Sequence, residues 1–381
     1  MITVKAPAVY RNERGLLKQS GNWVREIGNY ALVIGGRRAL ASVRESLLPS
    51  LEQAGVQVHI ETFDGYSTRQ EIASYTAIAR QLHVDVIIGV GGGKVLDLSK
   101  AVAQESNVPI VTVPTIPATC AAWSALTVLY DSDGQSAGYL PLHQSPALVL
   151  ADPEVLVQAP RRYLAAGIGD TLVKWHEFAV NLNGNAGSLA LRSSVGTAKL
   201  ALDILERHAL EVYEQAGDGQ ATDAFVEVSD SIILLAGLVG TIQDGSAHAA
   251  IAHGLHDSLT RLEETHHSLH GEKVAFGLLT QWVLEGKEQQ ELHRLASWLH
   301  QLDLPVTLNQ LGIESDHEQA ATIIANGLAL REGAAEHLAF AVDADRVKWA
   351  ILQAHELGRA LRQHSDYPVG KHAQRSFSSF N

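Results

Sequence analysis

The stretch Val84–Ser106, VDVIIGVGGGKVLDLSKAVAQES, decides the fold. Its opening, Val84 to Val90, is close to continuously apolar, the pattern of a strand buried on both faces inside a parallel sheet. The run ends in Gly91-Gly92-Gly93 and passes straight into a helix-like segment starting at Lys94. Strand, glycine turn and helix in that order make a device for phosphate. Without side chains the backbone can approach a pyrophosphate closely, and the helix N-terminus offers free N–H groups and the positive end of its dipole. The spacing is not the G-x-G-x-x-G of the common dinucleotide fingerprint, and a triple glycine by itself reads equally well as a tight turn. Asp97, one turn into the helix, is a candidate cofactor contact, and also an ordinary first-turn acid favoured by the dipole.

Outward from this stretch the same rhythm continues. Tyr30 to Ile34 (YALVI) runs into Gly35-Gly36 and a helix-like ALASVRESLLPSLEQAG, Val56 to Phe63 is another strand, and Pro109 to Val113 (PIVTV) is closed by Pro114. Alternating strands and helices imply right-handed crossovers and an open parallel sheet. Beyond Pro160 the rhythm becomes helical: DTLVKWHEFAV, SSVGTAKLALDILERHAL and VKWAILQAHELGRAL are long, Ala- and Leu-rich runs. The expected architecture is an α/β domain with a Rossmann-like parallel sheet over residues 1–160, then an all-α domain over 161–381, joined near Ala151 to Tyr163. The end, KHAQRSFSSFN, reads as a polar tail.

A chain of 381 residues exceeds one typical core, which agrees with two domains. A net charge of −13 argues against nucleic acid, whose phosphates require clustered Lys and Arg. The single cysteine, Cys120, allows no intramolecular disulfide and no cysteine-based zinc site. The opening MITVKAPAVYRNERG lacks a signal-peptide core, and no apolar run approaches the roughly 20 residues that cross a bilayer. A cytoplasmic protein acting on a small molecule is expected.

Two further stretches carry chemistry. Many NAD-binding folds place an acid at the end of a strand to receive the ribose hydroxyls. Here the first strand ends Gly35-Gly36-Arg37-Arg38, with no acid and with guanidinium groups able to pair with a 2′-phosphate. That favours NADP(H) over NAD(H); the bland alternative is two solvated arginines at a helix start. Ser246 to Gly277 (SAHAAIAHGLHDSLTRLEETHHSLHGEKVAFG) gathers histidines. On a helix, His253 and His256 share a face and His248 points away. His270 precedes a further helical run. Imidazoles from neighbouring elements, with a carboxylate such as Asp170, can hold a divalent metal with a coordination position open to substrate. Asp170 also reads as a plain helix N-cap.

GGGKVLD (Gly91 to Asp97), VPTIPAT (Val113 to Thr119), AGIGDTLVKW (Ala166 to Trp175), AHGLH (Ala252 to His256) and HGEKVAFG (His270 to Gly277), in this order, resemble the glycerol dehydrogenase branch of the metal-dependent (iron-containing) alcohol dehydrogenase family. The resemblance implies the dehydroquinate synthase-like two-domain fold with its active site in the cleft. It also implies Asp170, His253 and His270 as metal ligands. Longer iron-type relatives carry a histidine where this chain has Lys174, so a three-ligand site is implied, with zinc the usual metal of the branch and iron or another divalent ion the alternative. Implied cofactor contacts are Gly91, Gly92, Gly93, Lys94, Thr115, Thr119, Ser124, Leu126 and Tyr130. His256 falls at a proton-relay position, and relatives form homo-oligomers. There are two departures. Cys120 replaces an aspartate that receives substrate hydroxyls, which turns the expectation toward a hydroxycarboxylate dehydrogenase reducing a 2-oxo acid or ketone. Gly36 stands at the NAD-type aspartate, in line with NADP(H) held by Gly36 and Arg37. The alternatives are a glycerol or diol dehydrogenase using NAD and, more distantly, a dehydroquinate synthase-like lyase, for which the cations near the ligands, mainly Lys174 and Lys273, are few.

Overall fold

A computed structural model describes residues 1–182, 187–217 and 219–365; the polar tail KHAQRSFSSFN lies outside them. The strands are β1 (Thr3–Val4), β2 (Val9–Asn12), β3 (Tyr30–Gly35), β4 (Gln57–Thr62), β5 (Val86–Gly91), β6 (Ile110–Pro114), β7 (Leu126–Tyr130), β8 (Ser136–Pro141), β9 (Leu148–Ala151) and β10 (Ile242–Gln243). Chain packing groups the molecule into two compact units. One holds Ile2–Leu164 and Gln215–Gln243; the other holds Ala165–Glu214 and the described residues from Asp244 on.

The first unit is built on a six-stranded sheet in the order β2-β9-β6-β5-β3-β4, and every pairing in it is parallel. The apolar stretch that opened the sequence is β5, with Ile87 opposite Leu32 of β3 on one side and Ile110 of β6 on the other. Successive residues of β5 feed different cores. Val86, Ile88 and Val90 join Val33 and Val111 on one face. Ile87 joins Leu32, Ile34 and, from the helix Gly93–Ser106, Leu98 and Val102 on the other. A sheet covered on both faces needs this continuous apolarity, which is why β5 shows no period-two alternation. A two-stranded antiparallel hairpin, β7–β8, extends from the chain after β6.

The expected junction at residue 160 is crossed by one excursion, since Gln215–Gln243 packs within the first unit. Its helix Asp223–Asp230 runs into a π-helical turn, Ser231–Leu235. Asp230 accepts hydrogen bonds from the Tyr10 hydroxyl and the Asn12 amide, the Trp123 indole donates to Thr241 Oγ1 at 3.0 Å, and β10 pairs antiparallel with β1.

The second unit is helical, with Arg161–Ala179 entering it and Leu189–Glu214, Ile251–Leu259, His270–Leu284 and Ala344–Ser365 among its helices. Two glycines set how closely three of these helices cross. A Cβ on Gly271 would stand 1.8 Å from the Ala166 carbonyl oxygen, and one on Gly277 would stand 2.7 Å from that of Ala252. Helix His270–Leu284 is thus pressed backbone to backbone against both Arg161–Ala179 and Ile251–Leu259, closer than side chains would permit. Among the described residues no helix is long and apolar enough to cross a membrane.

Candidate metal centre and glycine loop

The close crossings bring together the three residues that the family pattern marks. Asp170 is not an N-cap: it lies in the interior of helix Arg161–Ala179 and is 2% exposed. His253 belongs to Ile251–Leu259, and His270 is the first residue of the helix that Gly271 wedges against Ala166. Ligand atoms from Asp170, His253 and His270 all lie within 4.8 Å of one another. His253 Nε2 stands 3.2 Å, and His270 Nε2 3.5 Å, from the same Asp170 Oδ1. Glu272 accepts the Leu269 amide at 2.7 Å and so fixes the start of the helix carrying His270.

The outer nitrogens of both imidazoles are engaged. Glu177, two turns beyond Asp170 on the same helix, accepts the His253 backbone amide at 2.9 Å and also the His253 Nδ1 proton. His270 Nδ1 lies 3.0 Å from His256 Nε2, and His256 Nδ1 lies 3.1 Å from Asp257 Oδ1. The chain is satisfied with one proton per ring: Nδ1–H of His270 donates to His256, and Nδ1–H of His256 donates to Asp257. Burial, with the neighbouring His270, pushes His256 down to about 3 and keeps it neutral, as that arrangement requires. Both Nε2 atoms then face the same carboxylate, an oxygen-and-imidazole donor set that fits a divalent cation.

Lys174 stands 3.0 Å from Asp170 Oδ1, one turn along the same helix. Burial alone would raise the Asp170 carboxyl, but Lys174 and the two imidazoles reverse this and hold it well below the usual carboxylate range. Burial likewise works to lower His253, yet Glu177 and Asp170 outweigh it and lift the ring to about 9. A cation entering the site therefore displaces a proton from His253. Glu177 was missing from the sequence reading. Its signal was present in the 170, 174, 177 spacing, which puts aspartate, lysine and glutamate on one helix face.

The other expected residues lie in the first unit. Gly91 ends β5 with φ at +153°, Gly92 caps the following helix, and Lys94 is that helix's second residue. Thr115 follows β6, and Leu126 and Tyr130 bound β7. Cys120 is half-buried in the connection between β6 and β7, where its carbonyl accepts the amides of Trp123 and Ser124. Asp97 lies on the glycine-loop helix Gly93–Ser106. Its buried carboxylate pairs with Lys100 at 2.9 Å and accepts the Val128 amide at 3.2 Å, fastening the glycine-loop helix to β7. Lys100, fully buried, also donates to the carbonyls of Ser124 and Leu126, and so draws that segment toward the loop. Gly36 caps the helix Arg37–Val43 with φ at −68°, and a Cβ there would meet nothing nearer than 3.9 Å. Space therefore does not demand glycine at 36, since a Cβ would fit there.

Comparison with known proteins adds to this geometry. Residues 7–153 match the family model described as iron-containing alcohol dehydrogenase. A glycerol dehydrogenase from Pseudomonas putida is 34% identical over 365 residues, covering 93% of this chain and 98% of that protein. Hydroxycarboxylate dehydrogenase A from Escherichia coli (strain K12) is 37% identical over 290 residues, covering 76% of this chain and 79% of its own. The crystal structure of glycerol dehydrogenase from Schizosaccharomyces pombe superposes with a TM-score of 0.85 at 28% identity, covering 96% of this chain and 93% of that one.

Proposed function

The chain belongs to the iron-containing alcohol dehydrogenase family, in its glycerol dehydrogenase branch, and on that premise we propose that it oxidises or forms a small polyol or diol with a nicotinamide dinucleotide. Metal-dependent alcohol dehydrogenase chemistry on CH–OH groups comes with the family. The observation that carries the reading is the convergence of Asp170, His253 and His270 ligand atoms within 4.8 Å. A divalent ion held there, zinc in this proposal, supplies a Lewis acid for the substrate oxygen.

The chain's own residues prepare that centre. Glu177 turns the His253 ring so that Nε2 faces Asp170. His256, itself oriented by Asp257, holds the proton of His270 on Nδ1 and leaves Nε2 as the ligating atom. Both ligands are thus pre-oriented, which reduces the reorganisation needed when substrate binds. Gly91, Gly92, Gly93 and Lys94 are proposed to meet the dinucleotide phosphates, with Thr115, Thr119, Ser124, Leu126 and Tyr130 as further contacts. NADP(H) is the proposed form, because position 36 has room for a Cβ yet carries no acid, while Arg37 is exposed beside it.

Reduction of a 2-oxo acid, favoured from the sequence, stands second. The Pseudomonas putida glycerol dehydrogenase matches this chain over more of its length than the hydroxycarboxylate enzyme does. Cys120, in place of a hydroxyl-accepting aspartate, is what supports the acid. Steady-state rates with glycerol and with 2-oxobutyrate, each with both nicotinamides, separate the readings. Higher kcat/KM for glycerol supports the polyol, faster 2-oxobutyrate reduction replaces it with the acid, and preference for NAD(H) overturns the role given to Gly36 and Arg37.

A further inference from the structure

Lys94 occupies the first turn of the glycine-loop helix, where no acid accompanies it. A cation there opposes the helix dipole, a cost that the nearby Asp64 carboxylate partly offsets and an arriving anion would offset further. Lys94 is exposed, and an unrestrained lysine spreads over many rotamers. A ring contact restricts it: Nζ lies 3.8 Å from the centre of the Tyr66 ring, over its face.

That ring is itself held by two further contacts. Tyr130, whose amide donates to the Ser67 carbonyl at 3.2 Å, places its own ring 5.5 Å away, tilted by 42°. The turn of the β7–β8 hairpin also abuts the ring, so that a Cβ on Gly134 would fall 2.4 Å from Tyr66 Cζ. Asp131 fixes this turn by accepting the amides of Asp133 and Gln135. An aromatic ring packed against a hairpin turn and a second ring does not wander, and neither does the ammonium resting on it.

We propose that Tyr66 is a positioning residue that holds the Lys94 ammonium at the glycine loop, ready for the phosphates of a nicotinamide dinucleotide. This rests on the dinucleotide-binding part of the proposed function. The phenol hydroxyl takes no part, because the ring face makes the contact.

The test is a double-mutant cycle on the metal-loaded full chain, with the dissociation constant of NADPH measured by calorimetry. Tyr66→Leu weakens binding about fivefold, Tyr66→Phe stays within about twofold of wild type, and Tyr66→Leu causes no further loss once Lys94→Met is present. Equal loss with and without Lys94, or an unchanged constant for Tyr66→Leu, overturns the assignment. Should Tyr66→Leu fail to fold, Tyr66→Gln carries the same cycle. A wild-type chain that binds neither nicotinamide overturns the dinucleotide reading itself, whereas wild-type binding with a flat cycle overturns Tyr66 alone.

Discussion

Both oxygens of Glu177 are committed to His253, one to its amide and one to its ring. A carboxylate in that position makes the imidazole a better ligand and fixes which nitrogen faces the cation. Glu177→Gln keeps the size and loses the charge. It should lower metal affinity by about 10- to 100-fold, read by competition with a chromogenic chelator, and an unchanged affinity would show that orientation by Glu177 is unimportant. His253 also makes a statement about pH. Its folded-state value, near 9, lies above the ordinary 6.5. In the metal-free chain the charged ring therefore stabilises the fold fully below pH 6.5, and this contribution is lost as pH rises through 9. Melting temperature of the metal-free protein should fall across that window, and His253→Gln should flatten the fall. An identical slope in the variant would assign it to other groups.

At the scale of elements, the spacing of the three candidate ligands depends on glycines whose missing side chains let the helices meet. Gly271→Ala drives a methyl group into the Ala166 carbonyl, an overpacking that costs about 1–3 kcal/mol or more when backbone must yield. The expected result is a lower melting temperature together with weakened metal binding, since His270 is the neighbouring residue. Normal affinity in a destabilised variant would separate the crossing from the site. Much at this scale was legible in the sequence. β3, β5 and β6 follow the apolar runs closely because buried parallel strands declare themselves by composition. The histidine helices were legible from spacing. Asp170 was ambiguous, because an acid near the start of an apolar periodic run looks the same whether it caps a helix or lies inside one; only the extra turns contributed by Arg161 to Gly169 decide it. The burial of the Asp97–Lys100 pair was not legible for a similar reason, since a charged pair on a helix gives no sign of being buried against β7.

For the whole molecule, the change of rhythm after Pro160 correctly announced helices but could not reveal where each would pack. Helix Asp223–Asp230 is amphipathic like its neighbours, and nothing in its periodicity distinguishes a partner in the first unit from one in the second. What distinguishes it is long-range: Asp230 is answered by Tyr10 and Asn12, more than 200 residues earlier. A fragment ending at Leu164 would leave those polar groups unanswered and strand β1 without β10. It should show poor amide dispersion by NMR, and restoring Gln215–Gln243 through a short linker should sharpen it; a well-dispersed spectrum from the short fragment would refute the dependence.

This threading bears on how the protein is made and on what can be borrowed from it. On the ribosome, the glycine-loop unit stays unfinished until Gln243 has emerged, after the Asp170 helix has already left the tunnel. Anyone wishing to graft that unit onto another enzyme would have to carry a distant stretch of chain along with it.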